Sequence, residues 1–320
     1  MKKAALLILL LLVSGCAIKR VETSKTIYQH ARQAQEAAND LQATLYWKAL
    51  LEQTTKEIEA GHYPVTNYFL RASAHFELGE WDHGFEDLKQ VQPQGLSSGE
   101  FWIYPLYSIL MGDYYAQQQM TAVAGNFYQS VLRKSTYKAS PVYLLALERH
   151  MNNLIKAVEF QAKDRVDGEK FKQKEYEGLV KDLMKYVEEF PHSSVPHFLL
   201  GDLMLKMGRA NDAMEHLLAA LEMTLPTVDL RRSAEFEIAT LLSSHQVSPE
   251  LKTVLLRKAR QWWGKENNGS IFRFGENTLE WVRRQDSRSE IPPEMRPDQK
   301  VSYLAVSRGN EWKILVWEKQ

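Results

Sequence analysis

The chain has 320 residues, with 40 Lys+Arg against 40 Asp+Glu, so it is formally neutral when histidine is uncharged. That balance gives no electrostatic reason to expect a nucleic-acid ligand. Apolar residues make up 44% and charged ones 25%, which argues against a disordered chain, and a single cysteine excludes an internal disulfide framework.

At the N-terminus, Lys2 and Lys3 precede an apolar run over residues 4–13, followed by Ser14, Gly15 and Cys16. A positive end, a short hydrophobic stretch and then small residues is the order of a secretory signal. The run is too short to cross roughly 30 Å of hydrocarbon as a stable helix. The tetrad Val13-Ser14-Gly15-Cys16 resembles the lipobox of bacterial lipoproteins. That resemblance, carried by about twenty residues, implies cleavage before Cys16 and acyl chains (a diacylglycerol and palmitate-type groups) on that cysteine. In that family an Asp after the cysteine favours retention at the inner membrane. Ala17 and Ile18 stand here instead, which implies an outer-membrane anchor facing the periplasm of a Gram-negative cell. The expectation is a signal peptide over 1–15 and a lipidated N-terminus over 16–20. Removing Lys2 and Lys3 leaves 38 basic against 40 acidic residues, or −2.

Residues 21–61 carry apolar positions at helical spacing. Ala31, Ala34, Ala37, Ala38 and Leu41 suit one helix, and Leu45, Ala49, Leu50 and Ile58 a second. Three later segments share one pattern of small residues at fixed offsets. In residues 64–93 it is Tyr68, Ala72, Leu78-Gly79, Trp81, Gly84 and Leu88. In 105–138 it is Gly112, Tyr115, Ala124, Tyr128 and Val131. In 194–226 it is Leu200-Gly201, Met204, Gly208, Ala213, Leu217 and Ala220. The pattern resembles the roughly 34-residue tetratricopeptide (TPR) repeat, in which two antiparallel helices pack through small residues. Gly84 stands where the repeat usually has alanine, which weakens its helix by up to about 1 kcal/mol. Between the last two segments the sequence predicts helices over 141–163 and 173–190, separated by a polar loop over 163–170. A sixth pair is expected over 230–244 and 248–263. The fold class expected over 21–263 is therefore an all-α, irregular TPR-like solenoid of about six helical hairpins.

The last 57 residues, 264–320, differ in character. Residues 267–270 are a loop signal, 278–284 read as a short helix, and 286–300 with Pro292, Pro293 and Pro297 as an extended segment. Residues 301–306 and 312–317 are rich in aromatic and β-branched types and flank Arg308-Gly309-Asn310, which predicts a β-hairpin. A lone hairpin is marginal and needs a surface to pack on. Five of the eight tryptophans follow residue 260, so large apolar area here must be covered.

No motif for a nucleophile or a phosphate loop appears, and no catalytic residue or cofactor is expected. Ser135-Thr136-Tyr137-Lys138 matches Ser-x-x-Lys, but no Lys-Thr-Gly follows. His75 and His83 flank a turn and are placed to approach across a hairpin. No third ligand is evident in the sequence, so no metal site is assigned. The TPR resemblance implies that the first helix of each repeat lines a groove for a peptide or protein partner. Carried over position by position, that selects Phe69, Ser73, Phe76, Ile109, Asp113, Phe198, Asp202 and Leu205 as partner-binding residues. The expected function is a non-enzymatic, membrane-anchored periplasmic scaffold that mediates protein–protein interactions in envelope assembly or secretion. Two alternatives are a peptidoglycan- or polysaccharide-binding module, and an envelope enzyme with its site near Trp262, Trp281 and Trp312.

Overall fold

A computed structural model describes residues 23–37, 39–92, 96–138, 140–243, 247–263, 270–278, 280–281, 297–308 and 311–319. The expected secretory signal over 1–15 and Cys16 lie outside these residues. Twelve α-helices and three strands occur among the described residues. They fall into two compact units, the first ending at Phe101 and the second running from Trp102. No helix among the described residues is long and apolar enough to cross a membrane.

The first unit contains α1 (Ser24–Glu36), α2 (Asp40–Glu59), α3 (Pro64–Glu77) and α4 (Trp81–Gln90). Asn39 caps α2 by accepting from the Gln42 N–H, and Pro64 opens α3 at a position where its missing N–H costs nothing. The core is built from Trp47, Leu50, Phe69, Leu70 and Leu88, all nearly or wholly buried. Tyr28 of α1 meets Trp47 edge to face at 5.7 Å. Arg71 of α3 makes a bidentate pair with the buried Asp87 of α4, at 2.7 and 2.8 Å.

The second unit contains α5 (Ile103–Gln117), α6 (Thr121–Leu132), α7 (Pro141–Lys163), α8 (Gly168–Glu189), α9 (Ser194–Lys206), α10 (Ala210–Glu222), α11 (Val228–Ser243) and α12 (Pro249–Trp263). From α5 to α11 each helix packs on the next, so the helical array expected from the sequence is present, but α12 packs on α10 and the sheet and does not close the expected sixth hairpin with α11. Helix α8 begins at Gly168, earlier than the expected residue 173, because Phe171 packs against the helical core and gives the extra turn an apolar contact.

Two glycines explain why the hairpins close tightly. A Cβ on Gly112 would lie 2.4 Å from the Tyr128 ring, and one on Gly201 would lie 2.7 Å from Leu217 Cγ. In both repeats a bare backbone on the first helix receives a large, fully buried side chain from the second. Burying each such side chain contributes about 1.5–3 kcal/mol, and any Cβ opposite it would force the helices apart. The turns share one geometry too. Gly79, Gln119 and Gly208 take positive φ (79°, 60° and 73°) just after a helix end. The next N–H reaches back to the last helical turn in each case: Glu80 to His75 O, Met120 to Tyr115 O and Arg209 to Met204 O. This is the Schellman arrangement.

The C-terminal region forms a three-stranded antiparallel sheet, β1 (Phe272–Thr278), β2 (Lys300–Arg308) and β3 (Glu311–Lys319), in that spatial order. The expected hairpin is β2–β3, and β1 was not anticipated. Its sequence, with Gly275 and Asn277, has low strand propensity. Tertiary packing overrides that: Gly275 pairs with Tyr303, and a Cβ there would sit 2.4 Å from the Tyr303 hydroxyl oxygen. Both sheet faces are covered. Phe272 and Leu304 join the helical core, while Val301, Tyr303, Ala305 and Ile314 form a second cluster under Trp281. Of the short helix expected over 278–284, Glu280 and Trp281 are helical and the remaining residues after Thr278 lie outside the described ones.

Glu235 locks the sheet to the helices. Its carboxylate is fully buried on α11 and accepts four hydrogen bonds. They come from Trp263 Nε1 of α12 (2.9 Å), Ser270 Oγ (3.0 Å), the Ile271 backbone N–H (3.0 Å) and Arg231 Nε (3.2 Å). A carboxylate with this many donors is stable in the interior because its lone pairs are used.

Candidate functional site

In the second unit, the first helices of successive hairpins touch one another: α5 packs on α7, α7 on α9, and α9 on α11. This layer carries a string of charged side chains. Asp113 of α5 accepts from the Tyr128 hydroxyl at 2.7 Å and faces Arg149 of α7 at 3.7 Å. Glu159 of α7 accepts from Tyr176 at 3.2 Å and lies 3.9 Å from Lys206 of α9. Lys206 also faces Asp202 at 3.6 Å. Glu148 of α7 and Glu237 of α11 complete the string, which holds five carboxylates against two cations.

Burial and mutual repulsion act on Glu148, Asp202 and Glu237 in the same direction. Desolvation raises the Glu148 carboxyl, and Arg149 only partly opposes it. Desolvation raises Asp202 against the pull of Lys206. Glu237 is pushed up to about 8, first by burial and then by Asp202. Its Oε2 atom is inaccessible to solvent and has no hydrogen-bond partner among the described residues. Phe160, next to Glu159, and Phe236, next to Glu237, are exposed at 66% and 69%.

The eight partner-binding residues expected from the TPR pattern divide by burial. Phe69, Ser73, Phe76, Ile109 and Phe198 are all buried, and Phe69 is completely so. Ser73 bonds back to the Phe69 carbonyl at 2.9 Å, and Ile109 packs with Tyr128 and Val131. These side chains present almost no surface to a partner, because neighbouring helices in this irregular array cover them. Leu205 is half-buried against the core. Asp113 and Asp202 lie in the charged string. Glu148, Glu237, Phe160 and Phe236 were missed; their signal, a charge or aromatic at an inner position of a non-consensus helix, has meaning only once α7 and α11 are known to join the layer.

Two cavities are lined by loop and helix-end residues. One, of about 410 Å³, lies among Leu144, Phe190, Pro191, Ser193, Met223 and Pro226. The other, of about 300 Å³, adjoins Trp262, Arg231 and Glu222. In the second, Glu222 pairs with Lys258 at 2.5 Å and Arg231 with Glu235. Trp262 packs edge to face on Trp263 at 5.5 Å, Trp263 on Phe272 at 4.7 Å and Trp281 on Tyr303 at 5.3 Å. The side chain of Trp312 lies outside the described residues. The C-terminal tryptophans that are described thus serve packing, and the charges near them are spent on one another.

No protein-family model matches the chain, and no curated protein matches it in sequence. Among solved structures it is similar to TTC0263, a thermophilic TPR protein of Thermus thermophilus, with 16% identity and a TM-score of 0.41, covering 63% of this chain and 92% of that one. It is also similar to Acl4, the assembly chaperone of RpL4, with 15% identity and a TM-score of 0.37, covering 75% and 90%. A third similarity is to the TPR2AB domain of yeast Sti1 in complex with pHSP90, with 14% identity and a TM-score of 0.26, covering 77% and 93%.

Proposed function

We propose that the chain is a non-enzymatic interaction protein that holds a basic protein segment along the layer of α5, α7, α9 and α11. The observation that carries this is Glu237. A carboxyl kept from water beside Asp202, with one oxygen lacking any partner among the described residues, is costly to ionise until a cation arrives. A Lys or Arg from a partner supplies that cation, and the exposed Phe236 and Phe160, chain neighbours of Glu237 and Glu159, offer apolar anchors on the helices that carry these acids. With Cys16 lipidated, the protein would present this layer at an envelope membrane, on the outer-membrane side of the periplasm, to an assembly or secretion component.

The test measures capture of Lys/Arg-rich peptides by the wild-type protein and by an Asp202→Asn/Glu237→Gln double variant. Binding should weaken about tenfold or more in the variant and fall with added salt. It should also strengthen as pH rises through about 8, where Glu237 ionises. Equal binding by both proteins, or binding indifferent to pH, sinks the reading. The anchor has a separate test: Cys16→Ala should abolish acyl labelling, and membrane attachment without any attached lipid would refute it.

A further inference from the structure

The α3–α4 turn brings together three side chains whose donor atoms all lie within 4.8 Å of one another: His75, Glu80 and His83. His75 sits in the last turn of α3, Glu80 at the entry to α4 and His83 in its first turn. His75 Nδ1 is 2.6 Å from Glu80 Oε2, and the two imidazole rings are 5.4 Å apart. We propose that this turn is a binding site for one zinc ion, held by His75 Nδ1, a Glu80 carboxylate oxygen and a His83 ring nitrogen. Water would occupy the fourth tetrahedral position.

The donor set selects the metal. Two neutral imidazoles and a carboxylate suit zinc and its transition-metal neighbours, whereas magnesium and calcium need oxygen donors. Zinc bonds to these groups at about 2.0–2.2 Å, which sets donor atoms about 3.3–3.5 Å apart in a tetrahedron, so the His75–Glu80 pair must open slightly from 2.6 Å and side-chain rotation brings His83, already within 4.8 Å, to the same spacing. Glu80 and His83 are exposed and rotate without disturbing the core, while His75 is largely covered and supplies the fixed point. The three ligands fall within nine residues, so little chain entropy is lost in bringing them together.

The surroundings of His75 form the independent support. Its Nε2 faces the Asp87 carboxylate at 3.8 Å. Asp87 is itself buried and gripped bidentately by Arg71. A carboxylate behind the far nitrogen of a ligating histidine orients the ring and keeps the near nitrogen free to bind metal. The Schellman turn at Gly79 fixes the approach of Glu80, whose N–H is tied to the His75 carbonyl at 2.8 Å. The chain thus supplies a ring, its orienting acid and two further donors in one hairpin turn.

The test is calorimetric titration of the full chain, first stripped with chelator, with zinc chloride. Parallel titrations use His83→Ala, Glu80→Ala, Asp87→Asn and, as a control, His62→Ala. Wild type and His62→Ala should bind one equivalent. His83→Ala and Glu80→Ala should lose it, and Asp87→Asn should weaken it by about 10–100-fold. Cobalt(II) should give the intense visible absorption of a tetrahedral site in wild type and not in His83→Ala. Melting curves in chelator check folding; the exposed His83 and Glu80 variants should melt with wild type, so they decide even if Asp87→Asn is destabilised through Arg71. Absence of stoichiometric binding with zinc in excess over protein overturns the proposal. So does an equivalent retained in both His83→Ala and Glu80→Ala, which would place the metal elsewhere, for example at His197 and His216.

Discussion

Replacing Glu235 with alanine should undock the C-terminal sheet from the helices. The side chain has no exposed surface and accepts from Trp263 Nε1, Ser270 Oγ, the Ile271 N–H and Arg231. Arg231 is partly exposed and would turn to water at small cost. The Trp263 and Ile271 donors are held in place and would stay buried without an acceptor, at about 1–3 kcal/mol each. The small cavity left behind adds roughly 1 kcal/mol. The sum runs from about 3 to 7 kcal/mol, and the usual cost of removing one partner of a buried charge network, about 3–5 kcal/mol, selects its lower part. For a unit of this size it corresponds to a fall in Tm of roughly 6–20 °C. Glu235→Gln keeps one acceptor oxygen and should lose about half as much. Calorimetry gives the Tm, and hydrogen exchange shows where the loss falls: β1 amides, which border Ile271, should open first. An alanine variant that melts within about 2 °C of wild type, with β1 still protected, would show that Glu235 is not the link.

Four further changes probe the helices and their charges. Gln119 holds the left-handed turn position that Gly79 and Gly208 occupy in the sister hairpins, so Gln119→Gly should stabilise by about 0.5–1 kcal/mol; a lower Tm would contradict this. Gly201→Ala should destabilise by about 1–3 kcal/mol, because its Cβ meets Leu217, and part of that loss should be recovered in a Gly201→Ala/Leu217→Val double variant, with additivity in a double-mutant cycle as the contrary result. Acid should destabilise the protein through three histidines: burial lowers His150, and burial also lowers His197 and His216, whose Nδ1 atoms share one hydrogen bond at 2.9 Å. The unfolded chain therefore binds more protons, so their contribution is intact above about pH 6.5 and declines below it; His150→Gln should flatten a Tm-against-pH profile between about pH 5 and 7. Glu237 has the opposite sign: its folded pKa is raised to about 8, so its cost grows as pH climbs from 4.5 to 8, and Glu237→Gln should gain about 1–3 kcal/mol at pH 8 and little at pH 4.

Much of the helical architecture was legible from small residues and punctuation. Gly112, Gly201, Ala213 and Ala220 marked the hairpins because close helix approach leaves room for nothing larger, and Pro141, Pro64 and Gly208 marked ends for backbone reasons that act within a few residues. The groove was harder. Phe69, Phe76 and Phe198 occupy positions that face a partner in a regular array, but here adjacent helices cover them. A position within a repeat fixes the direction a side chain takes, and it does not say which neighbour stands in that direction.

The same division separates the chain's local features from its functional ones. Local sequence determined the helical hairpins and the aromatic strands β2 and β3, because periodicity, turn chemistry and strand propensity are properties of short stretches. Only tertiary packing decided that Gly275 belongs to a strand, that Glu235 joins three elements, that Glu237 lies beside Asp202, and that Glu80 and Asp87 stand around His75. These are matters of which surfaces meet, and the energy of a carboxylate or an imidazole depends on what surrounds it rather than on its neighbours along the chain.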